Sequence, residues 1–307
     1  MTALLQWTIA NPLRAFLAAG LSSLVAMLAL PMLAWLPAGL IVIGLLASGQ
    51  AVAAAATAGA ALVLVWAFAA VFGMRPAIVI ATVVLLPSLL AAVALEKSRS
   101  LVFVFQALTV ASCLLVLAIH GLLGDPVAVL MPFIAKLEPM LRRTAETLLQ
   151  FGIKSSPEEI GVATARAAWA TLGWMVLLQA FVAQCAGLWA YGRLKQPGLF
   201  GREFCGLRLG SSIAWLLVAA FAASLIAHRY FAPGWQPVDD VLFVLAAAFL
   251  VQALAVVHGL RELQVIGAIP VVLAYVAVIL VPMALVGIGF ADTWVRFRER
   301  FAPRQGG

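Results

Sequence analysis

At 307 residues, 65% hydrophobic and only 10% charged, the chain cannot clothe a water-soluble surface in charge. Its mean hydropathy of +1.13 places it among integral membrane proteins and excludes an ordinary soluble globular class. The net charge of +7 resides mostly in short loops and the tail, which points to lipid head groups and topology and away from nucleic acid.

An apolar stretch of about 18 or more residues reads as a transmembrane helix, because the hydrocarbon core is about 30 Å thick and each helical residue rises about 1.5 Å. The runs fall at approximately 13–30, 33–48, 51–73, 77–95, 101–122, 164–191, 209–228, 238–259 and 264–290. Turn and charge signals separate them: Pro31, Gly49-Gln50, Arg75-Pro76, Glu96-Lys97-Ser98-Arg99, Gly124-Asp125-Pro126, Lys195-Gln196-Pro197-Gly198, Pro233-Gly234 and Arg261-Glu262. Lipid offers the backbone no hydrogen-bond partner, so each run is expected to be helical. The expectation is an all-α polytopic membrane bundle of eight or nine spans, forming one transmembrane domain over 1–307.

Arg14 and the apolar residues after it resemble a signal peptide, but no small-residue cleavage site follows and the next hydrophobic run comes almost at once. The segment reads as an uncleaved first span. It carries Ala18, Ser22 and Ala26 at four-residue spacing, a smooth stripe that serves either packing within the bundle or docking of a partner. Run 33–48 is short and contains Pro37, so it reads as the weakest span, a re-entrant segment or tilted half-span.

The longest non-spanning segment is 123–163. Within 125–151 the apolar residues Val129, Phe133, Leu137, Met140, Leu141, Leu148 and Leu149 recur at roughly helical spacing, while Lys136, Arg142, Arg143 and Glu146 fall mostly elsewhere on the wheel. This predicts an interfacial helix or a lid, kinked or divided by Pro132 and Pro139. Ser155-Ser156-Pro157-Glu158-Glu159 then reads as a helix start, with a serine cap, an early proline and acids in the first turn.

Polar residues inside the spans are mostly neutral: Gln106, Gln179, Gln184 and Gln252, with His120 and His258 near span ends. Each buried glutamine is either interhelical glue or a contact for a bound small molecule. Gln252 and His258 lie six residues apart, about 120° on the wheel and about 9 Å along the axis, which lets both border one broad cavity. Gln179, Gln184, Gln252 and His258 are therefore the candidate ligand-binding residues. The closing Asp292-x-Trp294-x-x-Phe297-Arg298-x-Arg300 follows the last run directly, within a basic tail at 291–307. It suits an interfacial anchor or, through Asp292, Trp294 and Arg298, a docking site.

Nine crossings with the N-terminus inside would leave the basic tail outside, against the positive-inside tendency. Demoting 33–48, or folding 264–290 with its Pro270 and Pro282 into a re-entrant hairpin, brings both termini inside. Each edit divides the 19 Lys and Arg as 12 inside and 7 outside, so charge alone does not choose. Either way the C-terminus is expected in the cytoplasm.

Much chemistry is missing. Cys113, Cys185 and Cys205 show no C-x-x-C spacing, and the three histidines are far apart, so neither a metal nor a cofactor is expected. There is no P-loop and no H-E-x-x-H. Gly20-Leu21-Ser22-Ser23 approaches the rhomboid protease motif but lacks its second glycine, and Gly287-Ile288-Gly289-Phe290-Ala291-Asp292 approaches that of aspartyl membrane proteases but has Asp292 two residues too late and no second intramembrane aspartate. No catalytic constellation emerges. Charged side chains are nearly absent from the span interiors, with Arg14 and Arg166 at span starts, which argues against an ion-coupled pump.

The Phe249–Gly259 stretch F-L-V-Q-A-L-A-V-V-H-G, the segment 202–210 leading into a span, and the closing G-x-x-D-x-W-x-x-F-R resemble the bacterial YybS-like membrane family, domain of unknown function 2232. Such proteins are similar to the S components of energy-coupling-factor vitamin transporters. The resemblance implies an S-component-like core in a bacterial inner membrane. It also implies a partnership with a transmembrane coupling subunit and ATPase through Ala18, Ser22 and Ala26. S components have six spans, fewer than here, and no vitamin-binding signature is recognisable. Function resides in the site and not in the fold, so two expectations stand: a small-molecule transport component, or a non-transporting scaffold for other membrane proteins.

Overall fold

The computed structural model describes residues 2–28, 35–230 and 236–301. Pro31, Pro233 and Gly234, named above, lie outside the described residues, as does the end of the tail after residue 301. With no water to bond the backbone in lipid, helices are the outcome expected of these runs. Among the described residues all regular structure is helical. In chain order the helices are α1 (Thr2–Ile9), α2 (Pro12–Leu28), α3 (Trp35–Ser48), α4 (Gln50–Phe72), α5 (Met74–Ser98), α6 (Leu101–Leu123), α7 (Pro126–Ile134) and α8 (Glu138–Gln150). There follow α9 (Pro157–Arg166), α10 (Ala168–Lys195), α11 (Leu199–Cys205), α12 (Gly210–Tyr230), α13 (Gln236–Glu262), α14 (Ala268–Leu280), α15 (Pro282–Val295) and α16 (Phe297–Arg300).

Six of these, α4, α5, α6, α10, α12 and α13, are long and apolar enough to cross a membrane. The count reaches eight if the bent pairs α1–α2 and α14–α15, folded by 117° and 119°, each make one span. The protein is thus an all-α polytopic membrane bundle. Run 33–48 yields the 14-residue α3, too short at about 1.5 Å per residue to span without local thinning of the bilayer. The chain divides into two compact units: 1–109 with 176–214 and 248–307, and 110–175 with 215–247.

In the first unit α2 and α3 pack on α4, and α4 on α5. Small residues make this close: Ala15, Ala19, Ser23 and Ala26 of α2 are buried, as are Ala53, Ala56 and Ala60 of α4. A Cβ at Gly59 would strike the backbone carbonyl of Phe16, so only glycine admits α2 so near to α4. The expected stripe is therefore displaced by rotation: Ala26 is buried, whereas Ala18 and Ser22 lie half-buried at its margin. On α5, Pro87 removes one helical N–H. Gln179 and Gln184 of α10 reach across to that stretch, donating to the carbonyls of Val84 and Ser88 at 3.1 and 3.0 Å.

Pro282 marks the break between α14 and α15, after Val281 leaves helical geometry at φ −142°. On the way out, Tyr275 of α14 meets His258 of α13. On the way back, Gly289 of α15 lies so close to Phe249 of α13 that a Cβ would collide with its carbonyl. Farther on, Arg298 packs beside Gly259, near the C-terminal end of α13. The pair therefore enters and leaves at the same end of α13, as a re-entrant hairpin. This is one of the two topological edits the sequence allowed, and the shortness of α3 supports the other as well.

In the second unit the amphipathic segment 125–151 is two helices, α7 and α8, divided by a 3-10 turn at Ala135–Leu137. Pro139 stands in the first turn of α8, where its missing N–H costs nothing. Both helices pack on α9. That helix begins at the expected cap: the Ser156 side chain accepts from Glu159 N, and Glu159 reaches back to Ser156 N. The same unit holds a feature the sequence reading passed over. His120 of α6, half-buried, and Asp240 of α13, buried, pair at 2.8 Å, beside a 2.6 Å bond from Ser224 to Asp239.

Candidate functional site

Within the first unit, α11 roofs a cavity of about 500 Å³. Its apolar wall is Leu46, Leu95, Leu188 and Leu199; its polar groups are Arg99, Tyr191, Gln196 and Glu203. A pocket that is mostly apolar, with a few convergent polar groups, is the usual form of a small-molecule site. A second cavity of about 440 Å³ is lined almost wholly by apolar side chains from α1, α3, α10 and α11, with Ser22 the one residue that α2 contributes.

Local chemistry places each polar group of the first cavity. Arg99 ends α5 in the left-handed region at φ 52°, its N–H closing on the Leu95 carbonyl. Glycine suits that position, and an L-residue there costs on the order of 1 kcal/mol. The guanidinium has neither a hydrogen-bond nor an ion-pair partner among the described residues. Glu203 projects from α11, whose turn is set up by Gly198 in the left-handed region. Its Oε2 accepts from Leu101 N at 2.9 Å and so caps α6, directly after the Arg99 turn. Tyr191 and Gln196 come from the end of α10 and the turn after it.

The roof is pinned from behind. Gln106 donates to the Arg208 carbonyl at 2.9 Å, and Gln252 Oε1 accepts from Leu209 N at 2.7 Å. The other face of the same amide donates to the Gly289 carbonyl at 2.7 Å and, at 3.5 Å, to Asp292. Asp292 accepts from Phe297 N at 3.0 Å and from Arg298 Nη2 at 2.6 Å. Arg298 in turn donates to the carbonyls of Leu207, at 2.9 Å, and Cys205. One buried network thus ties α13, α15 and α16 to the segment that ends the roof. Burial pushes the Arg298 guanidinium below its ordinary value, and the Asp292 carboxylate opposes that shift. On the outside, Arg208 bonds Glu299 at 2.7 Å and holds its carboxyl below the usual glutamate range. Burial, with Glu262 adding to it, pushes the Cys205 thiol up, which leaves it a poor nucleophile near neutral pH.

The residues singled out in the sequence fall as follows. Gln252 is fully buried with both amide atoms bonded within the protein, and His258 sits between Tyr275 and Phe204. Gln179 and Gln184 join α10 to α5. None of the four lines either cavity described above. In the tail motif Asp292 and Arg298 face inward, while Trp294 is 45% exposed and rests edge-on against Phe290. Arg99 and Glu203 were missed as site residues because a membrane-edge charge has the same sequence signature whether it lines a cavity or meets head groups. The left-handed conformation of Arg99 has no sequence signal at all. Among the described residues no group of three or more His, Cys, Asp or Glu could hold a metal ion.

Comparison with protein-family models, with curated proteins and with solved structures finds no match to this chain.

Proposed function

We propose that this multi-pass membrane protein is the solute-binding part of a small-molecule transport system, and that the cavity beneath α11 is its site. The observation that carries the reading is the unpaired Arg99 held over a leucine-walled cavity of about 500 Å³. That volume lies within the range of ordinary ligand pockets, roughly 300–1,000 Å³. An arginine that lines the cavity without a protein partner leaves its guanidinium available to a ligand. The resemblance of the sequence to the YybS-like family supports a transport component, with a coupling subunit and ATPase as partners in the bacterial inner membrane. The basic residues Lys97, Arg99, Arg193, Lys195, Arg202 and Arg208 are close in sequence to the cavity's lining, and by the positive-inside tendency they support a cytoplasmic place for that end and for the tail bonded to it.

The reading is tested by purifying the protein from native membranes in gentle detergent and identifying bound small molecules by mass spectrometry. Wild type should carry a stoichiometric molecule that Leu188→Trp, which fills the cavity, no longer carries. Equal recovery of every small molecule from the two proteins would refute the assignment. Recovery of envelope proteins with no ligand would favour the scaffold reading instead.

A further inference from the structure

We infer that the ligand of the α11 cavity is zwitterionic, bearing an anionic and an ammonium group on an apolar body; this rests on the cavity being a binding site. Arg99 and Glu203 line the same cavity, yet they form no ion pair with each other within 4.0 Å. Two opposite charges left apart at the edge of an apolar wall are a charge pattern awaiting its complement. An isolated anion would satisfy Arg99 but would face the Glu203 carboxylate, and a simple cation would face the guanidinium.

The Glu203 charge is held by a backbone N–H, whereas at Arg99 it is the backbone that is fixed, by its bond to the Leu95 carbonyl. Glu203 spends one oxygen on Leu101 N, which orients the carboxylate and leaves acceptor capacity on it for a second donor. Arg99 offers a planar fork suited to a carboxylate or phosphate. The Tyr191 hydroxyl and the Gln196 amide provide neutral hydrogen bonds beside the two charges, and Leu46, Leu95, Leu188 and Leu199 take the hydrocarbon. An ammonium and an acidic group on one apolar body occur both in amino-phospholipids of the membrane and in free apolar amino acids. The shared chemistry is what the site recognises.

The test uses the full chain in detergent, stripped of lipid, and four probes read by native mass spectrometry: dihexanoyl phosphatidylethanolamine, dihexanoyl phosphatidylglycerol, free leucine and hexylamine. The zwitterions should bind about tenfold more tightly than the phosphatidylglycerol and the amine. Whether the lipid or leucine leads names the source. Glu203→Gln keeps an oxygen for Leu101 N, so α6 stays capped. It should erase the preference by raising phosphatidylglycerol binding to match phosphatidylethanolamine. Arg99→Gln, at an exposed position, should weaken both lipids together. A wild type that prefers phosphatidylglycerol, or a folded Glu203→Gln with an unchanged lipid ratio, would overturn the zwitterion while leaving the cavity reading intact. If Leu188→Trp leaves all four probes binding as before, it is the cavity reading itself that fails.

Discussion

Arg298 donates to Asp292 at 2.6 Å, and the two side chains form an ion pair almost wholly closed to solvent at the point where the tail meets α13. Such a pair has little net worth against a well-packed apolar substitute, but breaking it strands a charge. Asp292→Asn should therefore destabilise the protein by about 3–5 kcal/mol. Asp292→Asn combined with Arg298→Met should cost clearly less than the sum of the two single changes. Thermal unfolding of the four proteins in one detergent measures the cycle, and additivity would show that the pair is not coupled.

Gln252 holds the roof through Leu209 N and the hairpin through the Gly289 carbonyl. Replacing it with leucine keeps the volume but orphans a buried donor and weakens a carbonyl contact. The expected cost is about 1–3 kcal/mol for each stranded group. Limited proteolysis should show faster cleavage within 198–209, because that segment loses an anchor.

Gly289→Ala should separate α15 from α13, since the added methyl meets the Phe249 carbonyl and rigid backbone cannot yield. Overpacking of this kind costs about 1–3 kcal/mol or more. Gly287→Ala, two residues away with open space around it, is the control and should unfold slightly above wild type, because alanine in a helix is favoured over glycine by about 0.5–1 kcal/mol. Thermal unfolding of the pair distinguishes a packing effect from a loss of glycine flexibility.

The hairpin also makes a topological prediction. Cysteines placed by Gln264→Cys and Phe301→Cys, in a background lacking the three native cysteines, should both react with an impermeant maleimide from the same side of the membrane. Opposite labelling would mean that α14 and α15 together cross.

The Glu299 carboxyl lies below the usual glutamate range because Arg208 bonds its ionised form. A depressed carboxyl adds stability above its unfolded value, near the ordinary 4.5, and loses it as pH falls through the folded value. The tail's attachment should thus loosen only in acid below about 4.5. Arg208→Gln should move the Glu299 titration, followed by carbon-13 NMR in labelled protein, back toward that ordinary value.

Sequence revealed the parts of this molecule that depend on local chemistry. The capping box at Ser156 and Glu159 is a contact across three residues, and the division of 125–151 follows from two prolines. The glutamine glue of Gln179 and Gln184 was foreseeable in kind, because lipid leaves such groups no other partner. What escaped was long-range. His120 and Asp240 meet across 120 residues, and Asp292 with Arg298 looked like a surface motif until the hairpin turned it inward. The cavity joins Leu46 to Glu203, and no periodicity in the chain brings those two together.

The most direct test of the central claim is a cryo-electron-microscopy map of the protein taken from native membranes without removal of lipid. Density for an organic molecule is expected under α11, its polar end within hydrogen-bond distance of Arg99 and its body against Leu188. A cavity that is empty or holds only water, with Arg99 turned away to solvent, would contradict it.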